Sequence, residues 1–139
     1  MTPRCVLLAD AHQNMLEALR GLLEGMFTTT VMVADEPSLL EAVKRLEPDL
    51  VVVDLSLPAS GGINVVRTLL NRYPGLRVIV LSVHDEQAAL SQALGAGAAG
   101  FVLKRTAAAD LALAVDAVLL GVTYVSPALG WRPEAEGHD

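Results

Sequence analysis

The stretch Pro48-Asp49-Leu50-Val51-Val52-Val53-Asp54-Leu55-Ser56-Leu57-Pro58 decides the fold. Leu50 to Val53 is a continuous apolar, β-branched run, the pattern of a strand buried on both faces. It ends in a single carboxylate, Asp54, and Pro58 stops any direct continuation into a regular helix. In open α/β sheets, chemistry gathers in the crevice beyond the carboxyl ends of the strands. Asp54 is therefore a candidate nucleophile or metal ligand. Taken alone, it reads more readily as a solvated strand-end acid, and the other strand ends change that balance.

Working toward the N-terminus, Ser38-Leu39-Leu40-Glu41 has the form of a capping box and opens a helix with Leu39, Leu40, Val43 and Leu46 inward, closing before Pro48. Thr28 to Val33 is rich in β-branched residues and reads as a strand. Asn14-Met15-Leu16-Glu17 is another capping box, with Asn14 as N-cap of a helix whose apolar stripe runs through Met15, Leu16, Leu19, Leu22 and Leu23 to Gly25. Ahead of it, the apolar run Val6 to Ala9 leads into Asp10-Ala11-His12.

Beyond the Pro58–Gly62 loop, a helix is expected from about Ile63 to Arg72, ended by Pro74-Gly75, and then a buried strand from Arg77 to Ser82. Asp85 to Leu94 reads as a small Ala-rich helix. Gly95, Gly97 and Gly100 loosen the chain before a short strand, Phe101 to Leu103, that ends in Lys104. A last helix runs from about Ala107 to Leu120 with Thr106 as N-cap, and most of the acids on the helices read as solvated faces. Strands and helices alternate throughout, the signature of an α/β fold with right-handed crossovers and a parallel sheet. Residues 1–126 form one domain on this reading, and residues 127–139, which lack periodicity, are a tail expected to fray.

The 139 residues are 53% hydrophobic, enough for a single packed core. A formal charge of −6 argues against a nucleic-acid-binding face, which needs clustered Lys and Arg. Cys5 is the only cysteine, so neither an intrachain disulfide nor a Cys-based zinc site is available, and it is expected to pack as a small hydrophobe. Asp10 interrupts the N-terminal apolar run too early for a secretion signal. Ala107 to Val122, the most apolar late stretch, carries Asp110 and Asp116 and is too short between them to span a bilayer. A cytoplasmic protein is expected.

Asp10, Asp54, Ser82 and Lys104 all stand at strand ends, and a parallel sheet brings such ends to one rim. Two carboxylates, a hydroxyl and an ammonium suit a divalent cation together with a phosphoryl group. Magnesium prefers one or two carboxylates plus substrate oxygens and water, and lysine serves phosphate as a point charge. Asp54 could then be the nucleophile that forms an acyl phosphate, with catalysis largely a matter of positioning and charge stabilisation. His12 and His84 lie beside this rim without metal-ligand spacing and read as loop residues.

Over residues 4–126 the chain resembles the receiver domain of two-component response regulators. The resemblance rests on Ala9-Asp10-Ala11-His12, on Pro48-Asp49 through Asp54 to Pro58 and Gly62, on Leu81-Ser82-Val83-His84-Asp85-Glu86, and on Gly95-Ala96-Gly97-Ala98-Ala99-Gly100-Phe101-Val102-Leu103-Lys104. Val83-His84-Asp85-Glu86 and Gly121-Val122-Thr123-Tyr124-Val125-Ser126-Pro127 are similar to the subfamily that carries a C-terminal LuxR-type helix-turn-helix, which residues 127–139 do not supply. The resemblance implies a flavodoxin-like three-layer α/β/α fold with five parallel strands in the order 2-1-3-4-5. It implies Asp54 as phosphoacceptor, Asp10, Asp54 and the Ser56 backbone carbonyl as Mg2+ ligands, and Lys104 as the phosphate-binding lysine. Ser82 becomes the switch hydroxyl and Phe101 the aromatic that moves with it. The implied partners are a histidine kinase and a second copy, the latter on the face of the fourth helix, fifth strand and fifth helix, roughly residues 85–121.

One position departs from the family pattern. Receiver domains carry two adjacent acids after the first strand, the second a direct Mg2+ ligand, whereas Asp10 is followed here by Ala11. A methyl group cannot coordinate a cation, so metal binding and phosphoryl transfer are expected to be weakened unless Asp10 or Asp85 approaches the metal instead. A phosphorylation-independent interaction module is the rival this favours. An aspartyl-phosphate phosphatase would need a second acid where Ser56 stands, and a flavin protein would need a phosphate-cradling loop after the first strand; neither is present.

Overall fold

A computed structural model describes residues 4–10, 13–55, 62–83 and 87–131. Its strands are β1 (Cys5–Ala9), β2 (Thr29–Val33), β3 (Leu50–Asp54), β4 (Val78–Ser82), β5 (Gly100–Leu103) and β6 (Tyr124–Val125); its helices are α1 (Gln13–Glu24), α2 (Glu36–Leu46), α3 (Gly62–Arg72), α4 (Gln87–Gly95) and α5 (Ala107–Leu119). They form one parallel sheet in the order β2-β1-β3-β4-β5-β6. The flavodoxin-like three-layer class is as expected. The strand count is not, because a sixth strand extends the sheet beyond β5. Tyr124-Val125 is too short to declare itself by alternation, yet it pairs with Gly100 and Phe101.

The apolar strand residues divide strictly by parity between two cores. Val6, Leu8, Leu50, Val52, Ile79, Leu81 and Val102 pack with Leu19 and Leu23 of α1 and with Leu111, Ala114, Val115 and Val118 of α5. Leu7, Ala9, Val51, Val53, Val78, Val80, Phe101 and Leu103 pack with Leu39 and Val43 of α2, Val65, Val66 and Leu69 of α3, and Leu90 and Ala93 of α4. Every residue of β3 and β4 is buried, whereas β2 at the edge is only partly so. Among the described residues, no helix is long and apolar enough to cross a membrane.

Local signals shift several boundaries. α2 starts at Glu36, ahead of the Ser38 capping box, because extended Asp35 is the N-cap: its Oδ1 accepts the Ser38 N–H at 2.8 Å, and Pro37 occupies the first turn, where its missing N–H does no harm. α1 starts at Gln13, so Asn14 lies inside it rather than capping it. Gly100 does not loosen the chain; it is the first residue of β5, and a Cβ there would lie 3.0 Å from Ile79 Cγ1 and 3.4 Å from Val118 Cγ2. Past Pro127 a 3-10 turn, Pro127–Leu129, buries Leu129, and Trp131 packs against the core on the α2–α4 side. Cys5 is half-buried at the head of β1, where burial and the nearby Asp49 charge raise its thiol pKa and keep it protonated.

The hydrogen bonds from Ser38 hold the Asp35 carboxyl below its ordinary range. A carboxylate lowered on folding stabilises the fold above its unfolded pKa and loses that contribution as pH falls through the lowered value. Asp35→Ala is therefore expected to lower the melting temperature by a few degrees at neutral pH, with the gap to the parent closing in acid. Thermal melts across that range check this; a gap independent of pH would refute the cap.

Candidate functional site

Four strand ends meet at one rim because the register makes them do so. Ala9 pairs with Val53, Asp54 with Leu81, and Ser82 with Leu103, so Asp10, Asp54, Ser82 and Lys104 fall on neighbouring ladder steps. Asp10 and Asp54 continue the parity of Leu8 and Val52, toward the α1–α5 layer, whereas Ser82 continues that of Val78 and Val80, toward the other. All four are buried: Asp10 at 0% exposure, Asp54 and Ser82 at 1%, Lys104 at 6%.

The centre of this rim is an ion triad. Lys104 opens a 3-10 turn, Lys104–Thr106, directly after β5 and sends its side chain back across the sheet. Its Nζ donates to Asp54 Oδ2 at 2.8 Å and to Asp10 Oδ1 at 3.1 Å, and stands 3.1 Å from Asp10 Oδ2 as well. These contacts join residues 50 and 94 positions apart in sequence. Like charges buried side by side repel, and the ammonium offsets that repulsion with short charge-assisted bonds. The Asp10 N–H donates to Val33 O at 3.1 Å, which anchors the main chain of Asp10 to the β2 side.

The structure thus brings together Asp10, Asp54 and Lys104, and places Ser82 on the same rim opposite Leu103. Phe101 is wholly buried in the α2–α4 core, across from Val80. Ala11, His12, Ser56, Pro58, His84 and Asp85 lie outside the described residues. Among those described, no group of three His, Cys, Asp or Glu side chains could hold a metal. The two converging carboxylates fit the protein's share of a magnesium shell, which is completed by substrate oxygens and water. Among the described residues, the rim is a set of buried charges. A hollow of about 360 Å³ lies at the opposite end of the strands, lined by Val43, Pro48, Tyr73 and Leu76 among others.

Asp110 is an exception to the solvated faces on which most helix acids are expected. It is only 7% exposed. Its Oδ2 accepts from Thr106 Oγ1 and Ser126 Oγ, each at 2.6 Å, and its Oδ1 from the Tyr124 hydroxyl at 3.2 Å. The signal was in the helical period: Ala107, Asp110, Leu111, Ala114, Val115 and Val118 form one buried stripe, so the acid sits in the apolar face. Thr106 stands at the N-cap position without capping, its hydroxyl being given to Asp110 instead. Burial, followed by the Asp110 charge and hydrogen bond, raises the Tyr124 phenol pKa.

Comparison with known proteins agrees with this geometry. The response regulator receiver domain model matches residues 6–116. The transcriptional regulatory protein DegU of Brevibacillus brevis is 32% identical over 124 residues, covering 88% of this chain and 52% of the relative. The chain spans about half the length of the curated relatives it matches. A LuxR-family two-component response regulator from Aurantimonas sp. SI85-9A1 superposes with a TM-score of 0.85 at 30% identity, covering 93% of this chain and 94% of that one. The isolated REC domain of RcsB from Salmonella enterica serovar Typhimurium, determined in the presence of the phosphomimetic BeF3−, gives 0.83 at 27% identity, with coverage of 93% and 97%. The ladder that aligns an acid-tipped β1 and β3 with a lysine after β5 therefore has its explanation in descent: the chain belongs to the response regulator receiver domain family.

Proposed function

We propose that this chain accepts a phosphoryl group from a histidine kinase on Asp54 and so works in two-component phosphorelay signalling. The observation that carries the reading is the Lys104 ammonium within 2.8 Å of Asp54 Oδ2 and 3.1 Å of Asp10. Asp54 Oδ attacks the phosphorus of a phosphohistidine. The P–N bond breaks as the P–O bond forms, and the imidazole leaves and takes up a proton. Lys104 then follows the new charge onto a phosphoryl oxygen, and the Ser82 hydroxyl donates to another. Drawing Ser82 toward the phosphoryl group vacates space on the Phe101 side of β4 and β5, where the ring can follow.

Asp10, Asp54 and the Ser56 carbonyl would hold Mg2+, which supplies charge neutralisation between the carboxylate and the incoming phosphoryl group. Ala11 removes a ligand that the family supplies, and this weakens the site. Losing even a partner behind a ligand costs about 10–100-fold in metal affinity. Altered packing around β4 and β5 reaches the α4–β5–α5 face, where a second copy would bind. β6 already takes the backbone edge of β5, so such a contact uses the flanks of the helices, including exposed Leu113 and Leu120. The alternative, an interaction module that works without phosphate, draws its support from Ala11 alone.

Two measurements separate these readings. Incubation with acetyl phosphate and Mg2+ is expected to add the mass of one phosphoryl group, seen by intact mass spectrometry and lost in Asp54→Ala. No gain in the parent, or a gain that survives Asp54→Ala, contradicts the phosphoacceptor role. In calorimetric Mg2+ titrations, Ala11→Asp is expected to bind at least about tenfold more tightly than the parent; equal affinities would show that Ala11 does not weaken the site.

A further inference from the structure

β5 stops one residue before Lys104, so whatever fixes residues 103–106 decides where the ammonium goes. The ladder with β6 ends with the Ser126 N–H donating to Phe101 O at 2.9 Å. The next strand amide, the Leu103 N–H, is taken by the Ser126 side chain, with Oγ accepting at 3.0 Å. Ser126 Oγ in turn donates to Asp110 Oδ2, the same oxygen that accepts from Thr106 Oγ1. The backbone before Lys104 and the side chain two residues after it thus hang on one carboxylate. Ser126 is completely buried, and the Tyr124 hydroxyl occupies the other oxygen of Asp110.

We propose that Asp110 is a positioning residue for Lys104: through Thr106 and Ser126 it keys the C-terminal segment 124–126 to the turn that carries the ammonium. Hydrogen bonds to a carboxylate are short and strong, and a fully satisfied buried network rigidifies what it joins. The 3-10 turn that follows this segment reaches α4, since Gln87 Nε2 donates to Leu129 O at 3.3 Å. The C-terminal segment therefore has a continuous hydrogen-bonded route to the site, and not merely a place on the sheet edge. The inference deepens the phosphoryl-acceptor reading and rests on it only for its binding readout.

The test uses the whole chain and the variants Ser126→Ala, Asp110→Asn and, as the mildest change, Tyr124→Phe. The first readout is the 15N–1H signal of the Lys104 ammonium, assigned by its loss in Lys104→Arg, with its rate of solvent exchange. The second is affinity for fluoroberyllate as a phosphoryl mimic. Folded Ser126→Ala and Asp110→Asn are expected to shift the ammonium signal, speed its exchange and weaken fluoroberyllate binding about tenfold or more, by analogy with the about 10–100-fold cost of losing a partner behind a ligand. An unchanged ammonium signal and unchanged affinity in folded variants overturns the proposal. Should both of those variants fail to fold, Tyr124→Phe decides: a shifted ammonium signal supports the proposal, and an unshifted one overturns it. Should the parent not bind fluoroberyllate, the phosphoryl-acceptor reading fails, and the ammonium signal alone decides the positioning role.

Discussion

One buried ammonium between two buried carboxylates is the constraint on which the rim of this sheet depends. Removing such ions from water costs several kcal/mol each, and only close geometry offsets it. That geometry exists because parallel pairing, with Ala9 opposite Val53, brings Asp10 and Asp54 to the same step of the β1–β3 ladder and ends β5 one residue before Lys104. Slipping β1 or β3 by one residue would turn a carboxylate into the opposite core. The strict division of Val, Leu and Ile between the two faces opposes such a slip, so the apolar cores hold the charged site in register.

The triad also sets the electrostatics of the rim. Its ion pairs are already desolvated, so charge brought to Asp54 meets a nearby, preorganised ammonium. Lys104 itself is held by contacts on two sides. The carboxylates take its head, and the network of Asp110, Thr106, Tyr124 and Ser126 takes the backbone from which it grows. The first is the chemistry of the rim, and the second joins that chemistry to the chain beyond β5.

Much of this was legible in the residues because it is written at strand ends. Apolar runs that finish in Asp10, Asp54, Ser82 and Lys104 announce both the parallel sheet and its polar rim. Two features escaped for physical reasons. Tyr124-Val125 is too short for periodicity, and its pairing depends on the exposed edge of β5 and not on its own pattern. Asp110 was discounted because charge on a helix usually faces water, although its place in the stripe from Ala107 to Val118 put it inside. α2 starts earlier than the Ser38 capping box implies, because Asp35 is the N-cap and Pro37 suits the first turn.

The most direct test of the triad is a double-mutant cycle between Lys104→Met and Asp54→Asn, followed by urea denaturation. Lys104→Met alone leaves two buried carboxylates without their shared cation and is predicted to cost about 3–5 kcal/mol. Asp54→Asn in that background is predicted to return part of the loss, giving a coupling energy of at least about 1 kcal/mol. Effects that simply add, within about 0.5 kcal/mol, would contradict the account, because Lys104 and Asp54 would then not depend on one another.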